Sequence, residues 1–157
     1  MCPKKLIEAD PYPVEFELAG TALLVIDMQR DFLEPGGFGE MLGNDVSLLR
    51  RTIEPCQSVL KAARVAGLRG IHTREGHRAD LTDAPPSKLQ RGNLETGIGD
   101  DGPMGRILIR GERGHDIIPE LAPNQNEPVI DKPGKGAFYE ADLDLILKNG
   151  SIRTLII

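Results

Sequence analysis

The sequence has few cysteines and no long apolar run, and each of these shortages argues against a class of protein. Its 157 residues include no Trp, two Cys and 4% aromatic residues. Two cysteines, Cys2 and Cys56, are too few for the disulfide framework of a small secreted protein. No apolar run approaches the roughly 18 residues that a membrane-spanning helix needs, and the N-terminus lacks the apolar stretch of a signal peptide. We therefore expect a cytoplasmic protein with no membrane partner.

The charge pattern argues against a nucleic-acid partner. The net charge is −5, and the 19 Lys and Arg residues are scattered along the chain. Phosphate binding needs basic side chains gathered on one face. The hydrophobic fraction of 39% is ordinary for a globular protein, and the length fits one domain.

Short apolar runs alternate with helical patterns along most of the chain. A Pro-rich segment, residues 1–19, is predicted to be an irregular arm, and residues 20–157 are predicted to form a single domain. Predicted strands cover residues 21–26, 68–73, 128–131 and 152–157, predicted helices cover 45–66 and 142–148, and predicted loops cover 28–43 and 74–116. The unbroken apolar run at 21–26 is typical of a strand buried on both faces. This order predicts an α/β domain with a parallel sheet.

Two charged residues follow predicted strands. Asp27 follows residues 21–26, and Lys132 follows residues 129–131. Ligands bind outside the carboxyl ends of the strands in such sheets, so the two side chains are candidates for one site. Asp27 is explained equally well as a turn residue, and the two together as a plain ion pair. Lys135 is a rival to Lys132, and its spacing from the strand does not decide between them.

An Asp–Lys pair can also activate a thiol, because a cation lowers the pKa of cysteine and a carboxylate can accept its proton. Neither cysteine fits this role. Cys2 lies in the terminal arm, and Cys56 lies in a helical pattern where cysteine usually behaves as a small buried hydrophobe. The sequence stops at Ile157, within a predicted central strand. We therefore expect the biological chain to continue and to supply a cysteine nucleophile beyond Ile157.

Three segments resemble the isochorismatase-like cysteine hydrolases. These are LLVIDMQRDF at residues 23–32, VIDKPGKGAF at 129–138 and IRTLII at 152–157. In that family a lysine precedes a small-Ala-Phe turn by four residues, which selects Lys132. The third segment resembles the strand that leads into the family's Gly-x-x-Thr-x-x-Cys motif.

The resemblance implies a three-layer α/β/α fold with a central parallel sheet and an Asp–Lys–Cys triad that includes Asp27 and Lys132. A thiolate would attack a carbonyl carbon, and a thioester would then be hydrolysed. The family also implies a homo-oligomer, a dimer or a tetramer, and no cofactor is expected.

Residues 73–81 and 110–114 resemble the biuret and ureidoacrylate amidohydrolases, which implies a small amide or ureide as substrate. Candidate substrate-binding residues are Phe32, Gln29, Arg74 and His77. Nicotinamidases in the superfamily use an Asp-x-His pattern and a second histidine around a metal. Residues 75–77 match this in part, but no second histidine follows nearby, and zinc takes three protein ligands even in catalytic sites. No metal site is therefore expected.

Two alternatives to an amidohydrolase stay open. One is an isochorismatase-type vinyl-ether hydrolase, because such relatives can keep the aspartate and lysine without using a cysteine. The other is a binding or scaffold protein that has the fold but no activity. The residue at the family's cysteine position would separate the amidohydrolase from the scaffold protein.

Overall fold

The computed structural model describes residues 4–90 and 95–157. The N-terminal segment forms an antiparallel hairpin of β1 (Lys4–Ile7) and β2 (Val14–Glu17). The prediction of irregular structure was therefore wrong for these residues. Pro11 and Pro13 lie in the connection between the strands, where a missing backbone N–H removes no ladder hydrogen bond. The division between an arm and a domain at residue 20 stays a prediction.

The first buried strand, β3 (Thr21–Ile26), is followed by short helices. These are α1 (Arg30–Leu33), α2 (Phe38–Met41), α3 (Val46–Arg50) and α4 (Ile53–Val65). Residues 28–43, predicted as a loop, thus contain two single-turn helices. The single helix predicted over 45–66 is interrupted before Ile53. Pro55 explains the break, because a continuous helix would need its missing N–H, whereas proline is tolerated in the first turn of a new helix.

The next strand, β4 (Arg69–Glu75), runs two residues beyond the predicted end at residue 73. The segment that follows, predicted as loop, contains α5 (Pro86–Leu89), β5 (Asp101–Gly102) and β6 (Gly105–Arg106). Its apolar insert at residues 107–109 is 1–2% exposed, so it belongs to the core. The described chain ends with β7 (Val129–Lys132), α6 (Leu143–Asn149) and β8 (Thr154–Ile156).

Four strands form one parallel sheet in the order β7-β4-β3-β8. Side chains of a strand alternate between the two faces of a sheet. Leu23 and Val25 of β3 pack in a cluster with Leu60 of α4, whereas Ala22 and Leu24 pack in a second cluster with the side chains of α6. Helices therefore cover both faces, which confirms the predicted α/β/α fold.

The order of the strands brings the charged residues at their carboxyl ends to one edge of the sheet. Strand β4 lies between β3 and β7, so the residues that end these three strands meet at the carboxyl edge of the sheet. Within the described residues, no helix is long and apolar enough to cross a membrane.

Candidate active site

Asp27 stands immediately after β3 in a left-handed backbone conformation, with φ of 52°. A positive φ is uncommon for a residue other than glycine and is found most often where the surroundings enforce it, as at functional sites. Here the Asp27 N–H donates to the carbonyl of Thr73 at 3.1 Å. The Thr73 hydroxyl donates to Asp27 Oδ1 at 2.7 Å. The neighbouring strand therefore fixes both the backbone and the carboxylate of Asp27.

Lys132, the last residue of β7, reaches across β4 to the same carboxylate. Its Nζ donates to Asp27 Oδ2 at 2.7 Å and to the carbonyl of Gly134 at 3.1 Å. Lys132 is 1% exposed, so its ammonium group is held in a low-dielectric setting where an unpaired charge would be costly. The structure thus brings together the two predicted catalytic residues, which are 105 positions apart in the chain.

A second carboxylate lies beside this pair. Glu75 ends β4, directly opposite Lys132 in the strand register. Its carboxylate lies 2.8 Å from the Nζ of Lys88, 3.3 Å from that of Lys135 and 4.0 Å from that of Lys132. Burial alone would raise the pKa of Glu75, but the hydrogen bond from Lys88 and the charges of the three lysines outweigh it and hold the pKa below its ordinary value. The group is therefore ionised at neutral pH.

Gln29, a predicted substrate-binding residue, is fully buried and is occupied by the backbone of its neighbours. Its Oε1 accepts the N–H of Glu75 at 2.7 Å. Its Nε2 donates to the carbonyl of Glu75 at 2.9 Å and to that of His115 at 3.0 Å. Both amide N–H groups are thus used, and the side chain locks the end of β4 in place.

Phe32, the second predicted substrate-binding residue, lines a cavity of about 290 Å³. Glu75 lines the same cavity. The apolar part of the lining consists of Phe32, Phe38, Leu42, Ile98 and Leu108, and the charged part of Glu75, Lys88 and Lys135. Small-molecule sites commonly combine apolar walls with a few convergent polar groups. The cavity therefore suits a small polar ligand, with Phe32 in its wall.

Arg74, the third of these residues, is engaged elsewhere. Its guanidinium group donates to both carboxylate oxygens of Asp131, at 2.7 and 3.1 Å, and to Asp116 at 3.1 Å. Because side chains alternate along a strand, Arg74 lies on the face opposite to that of Thr73 and Glu75. The structure does not bring it together with Asp27, and its predicted role in substrate binding stays a prediction.

His77, the fourth, is completely buried. Its Nδ1 lies 3.1 Å from Asp83, whose other carboxylate oxygen accepts from Arg110 at 3.0 Å. Burial lowers the pKa of His77, with the positive charge of Lys88 adding to the effect. Among residues 4–90 and 95–157, no group of three or more His, Cys, Asp or Glu residues could hold a metal ion. The contacts of His77 are those of a residue that ties the segment after β4 to the sheet.

Cys56 does not resemble a nucleophile. It is partly buried in α4 and packs against the apolar cluster on one face of the sheet. Cys2 lies outside the described residues. A reactive thiol needs an electropositive and accessible setting, whereas Cys56 is partly buried among apolar side chains.

The family model of the isochorismatase domain matches residues 21–157. The chain belongs to the isochorismatase family. The matched range contains the three segments at residues 23–32, 129–138 and 152–157, and the match confirms their resemblance to this family.

Isochorismatase-family structures share this fold. The chain is similar to a cysteine hydrolase from Pseudomonas syringae pv. phaseolicola 1448A, with 28% identity, a TM-score of 0.72, and coverage of 89% of this chain and 59% of that one. It is also similar to an isochorismatase family protein from Desulfovibrio vulgaris subsp. vulgaris str. Hildenborough, with 27% identity, a TM-score of 0.63, and coverage of 87% and 64%.

N-carbamoylsarcosine amidase from Thermoplasma acidophilum shares the fold, with 22% identity, a TM-score of 0.61, and coverage of 86% and 64%. The chain therefore spans less than two thirds of the length of these relatives.

Three residues of this isochorismatase-family site were missed as site residues by sequence reasoning: Thr73, Glu75 and Lys88. The signal for the first two was period-two alternation, since both share a face of β4. The predicted strand ended at Thr73, which placed Glu75 in a loop. Lys88 carries no local signal, because its contact with Glu75 depends on the path of a long polar segment.

Proposed function

We propose that this chain contributes the aspartate and lysine of a cysteine-dependent amidohydrolase that cleaves the C–N bond of a small amide or ureide. The observation that carries the proposal is the 2.7 Å contact between Lys132 Nζ and Asp27 Oδ2 at the carboxyl ends of two parallel strands. Lys132 is buried and Asp27 partly buried, Thr73 fixes the Asp27 carboxylate, and Glu75, 4.0 Å from Lys132, lines a cavity of small-molecule size. A merely structural ion pair does not need a strained backbone at its carboxylate.

The chemistry follows from the charges. A cysteine thiol placed against the pair would pass its proton to Asp27, and the ammonium group of Lys132 would stabilise the thiolate. The thiolate would attack the carbonyl carbon, and Asp27 would return the proton to the departing amine. A water molecule, losing a proton to Asp27, would then cleave the thioester, giving the free acid and the thiol.

The proposal requires a nucleophile other than Cys2 or Cys56, and we place it after Ile157. The first test is the coding sequence downstream of residue 157. We expect a cysteine within about ten residues, in a Gly-x-x-Thr-x-x-Cys pattern such as the resemblance implies. Absence of a cysteine there would contradict the amidohydrolase and favour a vinyl-ether hydrolase or a scaffold protein.

The substrate proposal rests on residues 73–81 and 110–114, which resemble biuret and ureidoacrylate amidohydrolases. It is tested by ammonia release from the whole protein with biuret, ureidoacrylate, nicotinamide and carbamoyl amides. Hydrolysis of isochorismate in place of these amides would support the vinyl-ether alternative. Turnover of none of them would contradict catalysis of either kind.

Lys132→Met keeps an aliphatic chain in the buried position and removes the charge. We expect kcat/KM to fall about 10²–10⁴-fold, the range for loss of a positioned catalytic group. Lys148→Met is the matched control, because Lys148 is 73% exposed in an ion pair on α6. Equal activity in the two variants, with Lys132→Met folded, would refute the role of Lys132.

A further inference from the structure

Glu75 is a buried charged residue that the proposed mechanism does not use. Its side chain is 4% exposed. Thr73 and Glu75 lie on the same face of β4 because side chains two residues apart point the same way. The Glu75 carboxylate and that of Asp27 therefore approach the Lys132 ammonium group together, at 4.0 and 2.7 Å.

The carboxylate of Glu75 joins three separate parts of the chain. Lys88, on α5, lies 2.8 Å from Oε1 and also donates to the carbonyl of Pro133 at 2.7 Å. Lys135 donates to Oε2 at 3.3 Å. Pro133 and Lys135 both belong to the loop that follows Lys132, so Glu75 holds this loop directly through one lysine and indirectly through another.

The loop offers little else to hold Lys135. The side chain of Lys135 is 81% exposed. A Cβ atom added to either flanking glycine, Gly134 or Gly136, would meet nothing within 4 Å. Yet the Lys135 side chain lines the same cavity as Phe32 and Glu75. Electrostatic attraction to Glu75 is therefore the contact that turns its ammonium group toward the cavity.

The backbone of Glu75 is fixed independently of its carboxylate. Gln29 accepts the Glu75 N–H and donates to its carbonyl, and the β4–β7 ladder pairs the residue with Lys132. A change confined to the carboxylate leaves these bonds in place. The side chain can thus be tested without removing the support of the strand.

We propose that Glu75 is a positioning residue of the active site, which holds the Lys135 ammonium group at the cavity as a donor to a substrate oxygen and, through Lys88, fixes the loop after Lys132. This inference rests on the proposed function. The charged side chains that line the cavity are Glu75, Lys88 and Lys135, and Glu75 also lies 4.0 Å from Lys132, which is paired with Asp27. Asp27 is paired with Lys132 at 2.7 Å, and Glu75 lies closer to Lys88 than to Lys135, at 2.8 and 3.3 Å. The Lys135 ammonium group is 81% exposed, so it can contact Glu75 and also donate to a carbonyl or carboxylate oxygen of the substrate.

The test is Glu75→Gln in the whole protein, which keeps the size of the side chain and removes its charge. We expect KM to rise about tenfold, the effect of one hydrogen bond to a charged group, and kcat to change less than about threefold. Glu75→Asp should recover part of the loss. Glu54→Gln, an exposed position in the first turn of α4, is the matched control.

A double variant tests whether the effect passes through Lys135. If it does, Glu75→Gln combined with Lys135→Met should have the KM of Lys135→Met alone, since the second change has nothing further to remove. An additive rise in KM would overturn the inference, as would an unchanged KM in Glu75→Gln.

A second readout separates this inference from the proposed function. Loss of the ion pair should make Lys135 react about two- to fivefold faster with an amine-selective acylating reagent, the range of a partly exposed pair, while labelling of Lys148 stays constant. If the unchanged protein turns over no amide, the proposed function fails and labelling alone decides the inference. An equal labelling rate of Lys135 in both proteins would overturn it.

Discussion

Two partly buried carboxylates of this chain, Glu127 and Asp27, are each paired with a cation, but we expect only Asp27 to take part in catalysis. Glu127, two residues before β7, accepts from Arg64 at 2.6 and 2.8 Å, from the N–H of Asn124 at 2.8 Å, and lies 3.1 Å from His72. Asp27, at the other end of the strands, is bonded to Thr73 and Lys132. Both sites combine an anion with a cation, yet they differ in whether any charged group remains available to move a proton or to contact a ligand.

The Glu127 cluster is closed. A planar guanidinium group with fixed donors occupies both carboxylate oxygens, and a buried histidine ring lies against one of them. The pKa of Glu127 is held at about 2, first by the hydrogen bonds from Arg64. Such a pair ties α4 to the segment before β7 and contains no group free to move a proton at neutral pH.

At the carboxyl edge of the sheet, by contrast, the charged groups are not all held by one fixed partner. Asp27 and Glu75 share the point charge of Lys132, and Glu75 lines a cavity. Ammonium groups can rotate and exchange partners, whereas the guanidinium fork is committed to one geometry. The comparison teaches that the partner and its surroundings distinguish a structural ion pair from a candidate catalytic one.

The largest difference between the two carboxylates is expected when each is replaced by its isosteric amide, and it should appear in the activity. Asp27→Asn removes the proton carrier and leaves the shape, so kcat/KM for the preferred amide should fall about 10²–10⁴-fold. Ammonia release by the whole protein measures this. Asp144→Asn, at an exposed pair on α6, is the control. A fall of less than about threefold in Asp27→Asn would remove Asp27 from the mechanism.

Glu127→Gln should affect stability and leave chemistry alone. We expect the free energy of unfolding at pH 7 to decrease by about 2 kcal/mol, below the 3–5 kcal/mol for breaking a fully buried pair, because Arg64 is partly exposed. Activity per folded molecule should not change. Urea unfolding monitored by circular dichroism, with Glu54→Gln as control, gives the measurement.

The pH dependence follows from the depressed pKa of Glu127. Its folded value is about 2 against an ordinary 4.5, so the unfolded chain binds this proton first as the pH falls. The stabilisation is complete above about pH 5 and is lost progressively as the pH falls from 4.5 toward 2. The stability difference between the two proteins should therefore shrink below pH 4.5. A constant difference from pH 7 to 3 would show that the charge of Glu127 is not the cause.

The sheet and its central residues could be predicted because their signals are local. An unbroken apolar run marked β3, and Asp27 followed it. Likewise the short run before Lys132 marked β7, and the carboxyl-end rule for parallel sheets predicted that the two side chains meet. The family's spacing then selected Lys132 over Lys135.

The rest of the site depends on contacts between distant segments. Glu75 was placed in a loop, because nothing local shows that its pairing with Lys132 extends β4. Substrate binding by Gln29 stays a prediction, and the sequence does not reveal that its amide is occupied by the backbone of a residue 46 positions away. Arg74 illustrates the same limit: the strand sends it to the opposite face, where Asp131 binds it.

The smallest of these effects is expected at Thr73, and it sharpens the comparison most. Thr73→Val removes the hydroxyl donor to Asp27 Oδ1 and keeps the β-branched shape that suits a strand. A single such hydrogen bond is worth about 1 kcal/mol, so kcat should fall about five- to tenfold. Thr73→Ser, which retains the donor, should restore most of the activity, and kcat from ammonia release distinguishes the two variants.

If Asp27 were a closed structural pair like Glu127, the same substitution would lower the free energy of unfolding and leave kcat per folded molecule unchanged. Thr73→Val would then resemble Glu127→Gln in urea and in activity alike. A loss of kcat with an unfolding midpoint close to that of the unchanged protein identifies the hydroxyl as an orienting group. Because Lys132 remains bound to the other carboxylate oxygen, the charge of the pair is the same in both variants and only the orientation of the carboxylate is tested.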